Sequence, residues 1–104
     1  MPFLTRELTI DLVFQDNTPA PNIPVSITLV DGNLVLTEGL PKDKTNPVIV
    51  SNRLETTTNS EGQATVDVVP NELLEGTTLY RVVAHMEERD HDWYVTMPNH
   101  DAVL

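Results

Sequence analysis

The residues best suited to chemistry lie between positions 85 and 93, where the sequence reads HMEERDHDW. This run holds the histidines and carboxylates that bind divalent metal ions, namely His85, Glu87, Glu88, Asp90, His91 and Asp92. On a β-strand His85 and Glu87 share one face, and a following turn can bring His91 or Asp92 opposite them. The run nevertheless lacks a closely spaced histidine pair and an EF-hand pattern, and a charged hairpin tip is normally solvated. We therefore predict no metal site.

Nucleophilic catalysis has even less support in the sequence. The serines at Ser26, Ser51 and Ser60 lack a G-x-S-x-G context, and the chain contains no cysteine. Carboxylates are close together only where charge is dense and exposure is expected, so no perturbed acid–base pair is indicated. We predict that the protein is not an enzyme and uses no cofactor.

Two aromatic residues, Trp93 and Tyr94, raise the alternative of a glycan-binding or adhesion module. Because adjacent residues of a strand point to opposite faces, one of these rings is expected in the core. The other ring alone makes a small platform for a sugar. Glycan binding therefore stays the alternative to the structural role argued below.

The charge of the chain limits its partners. Its 104 residues include 6 Lys and Arg against 16 Asp and Glu, for a net charge of −10. Such a surface repels phosphate backbones and anionic lipid, so neither nucleic acid nor a membrane is an expected partner. The opening MPFLTRELTI is interrupted by Arg6 and Glu7, and no later stretch approaches 18 apolar residues, so no signal peptide or membrane span is indicated. The length predicts one domain, residues 1–104.

The elements that would position these side chains are β-strands. Apolar residues alternate with polar ones, as in Leu8, Ile10, Leu12 and Phe14, and clusters of turn residues close each run. This pattern predicts seven strands, at 7–14, 22–30, 34–39, 48–58, 63–69, 79–87 and 91–97. Residues 40–47 are expected to form an exposed loop, and residues 71–78 one helical turn at most.

The residue types at the turns support the same assignment of strands. Asp-Gly at 31–32 favours a hairpin turn, Gly62 is suited to the left-handed conformation of a bulged hairpin, and Pro70 should end a strand. Seven short strands in about 100 residues predict an all-β fold, a single antiparallel β-sandwich, with a barrel as the alternative. Tyr80 lies where a tyrosine corner would fall, although a half-buried tyrosine without that bond is equally compatible.

Three segments also carry a family resemblance, namely TTTNSEGQATVDVVPNE at 56–72, LYRVVA at 79–84 and YVTMPNHDAVL at 94–104. Their order resembles the immunoglobulin-like or prealbumin-like domain of tailed-bacteriophage tail fibres and related virion proteins. The matching positions are Thr58, Gly62, Ala64, Thr65, Pro70, Asn71, Tyr80, Val82, Val95, Pro98, Asp101, Ala102 and Leu104. The similarity covers about half of the chain directly, and its motifs mark turns, strand ends and a core tyrosine.

The resemblance implies a non-enzymatic virion structural protein, one Ig-like sandwich that assembles in many copies with other virion proteins of the tail, neck or capsid. Among prealbumin-like proteins the hydroxyisourate hydrolases are enzymes. They carry a histidine in the first strand and end in Y-R-G-S, whereas this chain has LTIDLVF and DAVL at those places. That activity is therefore not expected.

Short apolar ends and one exposed ring are the interface residues that we predict. They are Phe3, Leu4, Tyr94, Val103 and Leu104. Apolar termini are unusual for free tails, so contact with a neighbouring subunit would account for them, and packing on their own domain is the alternative.

Overall fold

The computed structural model describes residues 4–14, 16–42, 49–87 and 89–103, and almost all regular structure within them is β-strand. The strands are β1 (Arg6–Asp11), β2 (Pro24–Asp31), β3 (Arg53–Thr57), β4 (Gln63–Val68), β5 (Thr78–His85), β6 (Asp90–Val95) and β7 (Ala102–Val103). One 3-10 turn, Asn71–Leu73, lies in the segment predicted to hold a single helical turn. The all-β prediction is confirmed.

Two sheets pack face to face as a sandwich. One has the strand order β4-β1-β7 and the other the order β3-β2-β5-β6. All neighbouring pairs are antiparallel except β1 and β7, which run parallel. The parallel pair departs from the purely antiparallel prediction, because the chain crosses between sheets after Val95 and continues beside β1 in the same direction. Immunoglobulin constant domains pair their first strand with the second, so the likeness to them is at the level of the sandwich.

The number of strands is as predicted, but one predicted strand is replaced by another. Residues 34–39 make only isolated bridges, Leu36 with Val30 and Gly39 with Val50. The turn that leads into this segment is held by Asp31, whose carboxylate accepts the N–H of Asn33 and of Val35 at 2.8 and 3.1 Å. The seventh strand is instead the short β7. Most of the predicted 40–47 loop, and the predicted strand start at Val48, lie outside the described residues.

The core lies between the sheets and consists mostly of aliphatic side chains. It includes Leu8, Ile10, Val25, Ile27, Leu29, Ala64, Val68, Leu74, Tyr80, Val82 and Met97. The apolar face predicted for the first strand is confirmed as buried at Leu8 and Ile10, and each fully buried large aliphatic contributes roughly 1.5–3 kcal/mol. Phe14 is the exception. It is exposed because β1 already ends at Asp11, and its backbone carbonyl accepts the N–H of Asn17 in a turn.

Tyr80 forms the corner that the sequence left open. Its hydroxyl donates a 2.7 Å hydrogen bond to the backbone carbonyl of Val69, across the loop between β4 and β5. The ring is buried, and burial raises the pKa of the Tyr80 phenol above its ordinary value. Gly62 has φ +75°, as predicted for the hairpin before β4.

Candidate functional site

The predicted interface residues do not form one surface. Phe3 and Leu104 lie outside the described residues. Leu4, Tyr94 and Val103 are 49%, 41% and 70% exposed. Trp93 and Ala102 pack against the core, so their neighbours Tyr94 and Val103 point outward from different sheets. Each residue is available for contact, but Tyr94 and Val103 occupy opposite sides of the sandwich.

Several exposed aliphatic residues follow the end of β2 in the chain. We call this set the aliphatic end patch, and it consists of Leu34, Val35, Leu36, Leu40 and Ile49, each 48–62% exposed. Isolated bridges tie Leu36 to Val30, near the end of β2, and Gly39 to Val50. The sequence did not reveal the patch, because the apolar run at 34–36 was assigned to a strand with one buried face.

The opposite end of β2 carries a hydrogen-bonded chain of three polar residues. On the outward face of the four-stranded sheet, Ser26 Oγ lies 2.7 Å from His85 Nε2. The other ring nitrogen, Nδ1, lies 3.0 Å from Asp90 Oδ1. The register positions them, because Ser26 pairs with Val83 and His85 pairs with Asp90. We call this group the Ser–His–Asp cluster.

The chemistry of the partners fixes the proton positions in the Ser–His–Asp cluster. An ionised Asp90 carboxylate only accepts hydrogen bonds, so the proton of a neutral His85 ring belongs on Nδ1. His85 Nε2 is then an acceptor, and the Ser26 hydroxyl donates to it. This is the arrangement in which an imidazole removes a proton from a serine.

An open cleft of about 360 Å³ reaches the Ser–His–Asp cluster. Its lining includes Ser26, His85, Arg53 and Glu55. Arg53 contacts the Glu55 carboxylate through Nε and Nη2, at 2.9 and 2.6 Å. Among the described residues that line this cleft, Arg53 alone carries a permanent positive charge.

The carboxylates and histidines between 85 and 92 do not converge on a metal position. Asp92 pairs with Arg81 at 3.0 Å, whereas Asp90 pairs with His85. Glu88 is outside the described residues. Within the described chain, no group of three His, Asp or Glu side chains is arranged to hold a metal ion.

Comparison with known proteins adds no family assignment. Neither protein-family models nor curated proteins give a match to this chain. In the described residues, no helix is long and apolar enough to cross a membrane. The fold and its surfaces therefore define the class, which is a small all-β sandwich with an aliphatic end patch and a Ser–His–Asp cluster.

Proposed function

We propose that this protein is a structural component of a bacteriophage virion, a small Ig-like sandwich that assembles in many copies on the tail, neck or capsid. Its partners are other virion proteins. The role needs no catalysis, cofactor or metal, and the net charge of −10 disfavours nucleic acid and anionic membranes as partners.

The residues that carry the family resemblance support this proposal, because several of them make hydrogen bonds that hold the fold together. The Thr58 hydroxyl donates to the Ala20 carbonyl at 2.7 Å and accepts the Ile23 N–H at 2.8 Å. The Asn71 side chain accepts the Met97 N–H at 2.6 Å. Polar residues this deeply buried act as fixed junctions, because an unsatisfied partner would cost about 1–3 kcal/mol.

Two more motif positions have comparable roles. Gly62 approaches the backbone so closely that a Cβ there would lie 2.3 Å from the Leu12 carbonyl oxygen. The Asp101 carboxylate accepts the Glu7 N–H at 2.8 Å and ties the last strand to the first. The motif therefore describes a scaffold, which is what a repeated assembly unit requires.

The aliphatic end patch is the observation that carries the assembly proposal. Five large aliphatic side chains of this segment are each about half exposed or more, and exposed apolar surface commonly marks a protein–protein interface. Contact with a neighbouring subunit would remove this surface from water. The glycan-binding alternative has weaker support, because, of the adjacent pair Trp93 and Tyr94, the first ring packs against the core and only the second is exposed.

A protein inventory of the purified particle tests the role. We expect mass spectrometry to find the chain in many copies per virion, and labelled antibodies to place it on the tail, neck or capsid. Its absence from purified particles that infect normally would refute the virion assignment.

A paired set of variants tests the surface. Leu36→Ser with Ile49→Ser should abolish incorporation into particles while the isolated domain stays folded. The control is Val13→Ser, which removes an equally exposed aliphatic residue in the turn next to Gly62, away from the patch. Normal incorporation of the double variant would rule out the aliphatic end patch as the interface.

A further inference from the structure

We propose that Ser26 is an activated nucleophile that takes the acyl group of an activated ester, with His85 as its general base and Asp90 as a positioning residue. This inference goes beyond the assembly role and does not depend on it. It rests on the two distances of the Ser–His–Asp cluster, 2.7 Å from Ser26 Oγ to His85 Nε2 and 3.0 Å from His85 Nδ1 to Asp90 Oδ1.

The three side chains come from three adjacent strands of a rigid sheet. Ser26 lies on β2, His85 on β5 and Asp90 at the start of β6, and the ladders on both sides of β5 fix their relative positions. A nucleophile held within hydrogen-bond reach of its base needs no rearrangement before proton transfer. Ser26 is only 7% exposed, but it forms part of the wall of the open cleft, which gives a small acyl group access.

The reaction proceeds in two balanced steps. In the first, Ser26 Oγ bonds to the ester carbonyl carbon while His85 Nε2 takes the hydroxyl proton. The bond to the leaving alcohol or thiol then breaks, and the leaving group receives that proton. In the second, a water molecule loses a proton to Nε2 and attacks the acyl-Ser26 carbonyl. The carboxylic acid departs and Ser26 regains its hydroxyl proton.

The surroundings of Ser26 limit the substrates to esters with good leaving groups. β2 is paired on both sides, with β3 and β5, so the nearby backbone N–H groups of the described strands serve the sheet or its edges rather than an oxyanion hole. Loss of one oxyanion donor costs about 10²–10³ in kcat in serine hydrolases. Among the described residues that line the cleft, the Arg53 guanidinium is the source of permanent positive charge, and its ion pair with Glu55 weakens its effect on a developing oxyanion. Aryl esters and thioesters therefore fit, and amides do not.

The exposure of Asp90 to solvent limits its contribution to the reaction rate. The side chains of His85 and Asp90 are 37% and 62% exposed, so water screens their interaction. Replacement of a buried triad aspartate by asparagine lowers kcat about 10⁴-fold. For the solvated Asp90 we expect about a tenfold loss, since the carboxylate acts mainly by selecting the ring tautomer.

The experiment uses the intact chain with p-nitrophenyl acetate and a fluorophosphonate probe. We expect the probe to label Ser26, a position that peptide mass spectrometry would locate. We also expect the protein to hydrolyse the ester at the same residue. Ser26→Ala should abolish both readouts, and His85→Gln should slow hydrolysis by at least 100-fold, the lower end of general-base contributions of about 10²–10⁴. Circular dichroism checks that both variants keep the sheet.

Matched controls separate this site from background reactivity. Ser60→Ala and His91→Gln change an exposed serine and an exposed histidine outside the cluster, and both should react as the wild type does. Asp90→Asn should lower the rate, and Asp90→Glu should restore part of it, which a purely structural role would not produce. Probe absent from Ser26, or an unchanged rate in Ser26→Ala, overturns the proposal.

Discussion

Replacement of Tyr80 by phenylalanine tests the tyrosine corner directly. The change removes one oxygen from a ring that is 4% exposed and leaves the packing of the ring in place. It deletes the 2.7 Å hydrogen bond to the Val69 carbonyl, which is itself buried. A hydrogen bond contributes about 0.5–1.5 kcal/mol net, and an unsatisfied buried acceptor costs about 1–3 kcal/mol. We therefore expect the free energy of unfolding to fall by about 1–3 kcal/mol.

Urea denaturation monitored by circular dichroism measures this loss. With m values of about 1–3 kcal/mol/M for small proteins, the midpoint should fall by on the order of 1 M while the slope stays the same. The melting temperature should fall by roughly 5–15 °C.

Tyr94→Phe is the matched control, since this tyrosine is 41% exposed on the outward face of β6. Its effect should stay within about 0.5 kcal/mol, as for most surface substitutions. Equal effects of the two substitutions, or a Tyr80→Phe loss below about 0.5 kcal/mol, would show that the Tyr80 hydroxyl does not stabilise the fold.

Three further perturbations have defined outcomes. Gly76→Ala should lower the free energy of unfolding by about 1–2 kcal/mol from its φ of +76° alone, because no atom lies within 4 Å of the new Cβ. Gly62→Ala adds a clash with the backbone and should cost more in the same urea titration. Gly32→Ala, with no contact nearer than 3.7 Å, is the control. Thr58→Val should destabilise by about 2–4 kcal/mol in thermal melts, because it strands two buried backbone groups. Burial raises the pKa of Tyr80 above that of an unfolded tyrosine, which ionises at pH about 10, so the stabilisation by the neutral Tyr80 phenol is complete only below that pH. The free energy of unfolding, measured against pH, should therefore decline above pH about 10. Tyr80→Phe should lack this decline.

The parts of the fold that the sequence predicted are those governed by local rules. Alternation identified Leu8 and Ile10 as the buried face of β1, because successive side chains of a strand point to opposite faces. Gly62 was recognisable because the turn needs a positive φ, and Pro70 because it cannot donate to a ladder. The Tyr80 corner was one of two readings, and only the position of Val69 in space decided between them.

The parts that the sequence did not predict depend on which strands become neighbours. β7 has two residues, Ala102 and Val103, too few to show any periodicity. The apolar run at 34–36 alternates poorly and follows a turn held by Asp31, so pattern alone could not separate a strand from an exposed patch. Ser26 and His85 are 59 residues apart in the chain, and their contact exists only through the pairing of β2 with β5. No local motif surrounds either residue.

The two candidate surfaces lie at opposite ends of β2, and this separation affects how they can act. Ser26 is near the start of the strand, whereas the aliphatic end patch begins beside Val30, four residues further on. At about 3.3 Å per residue the separation is roughly 13 Å along the strand, beyond direct side-chain contact. A subunit that contacts the patch therefore need not contact Ser26. Substitutions at the two surfaces should have additive effects on stability, as is usual for sites more than about 7–10 Å apart. Assembly and acyl transfer are thus compatible in one small sandwich, because they use different ends of the same rigid strand.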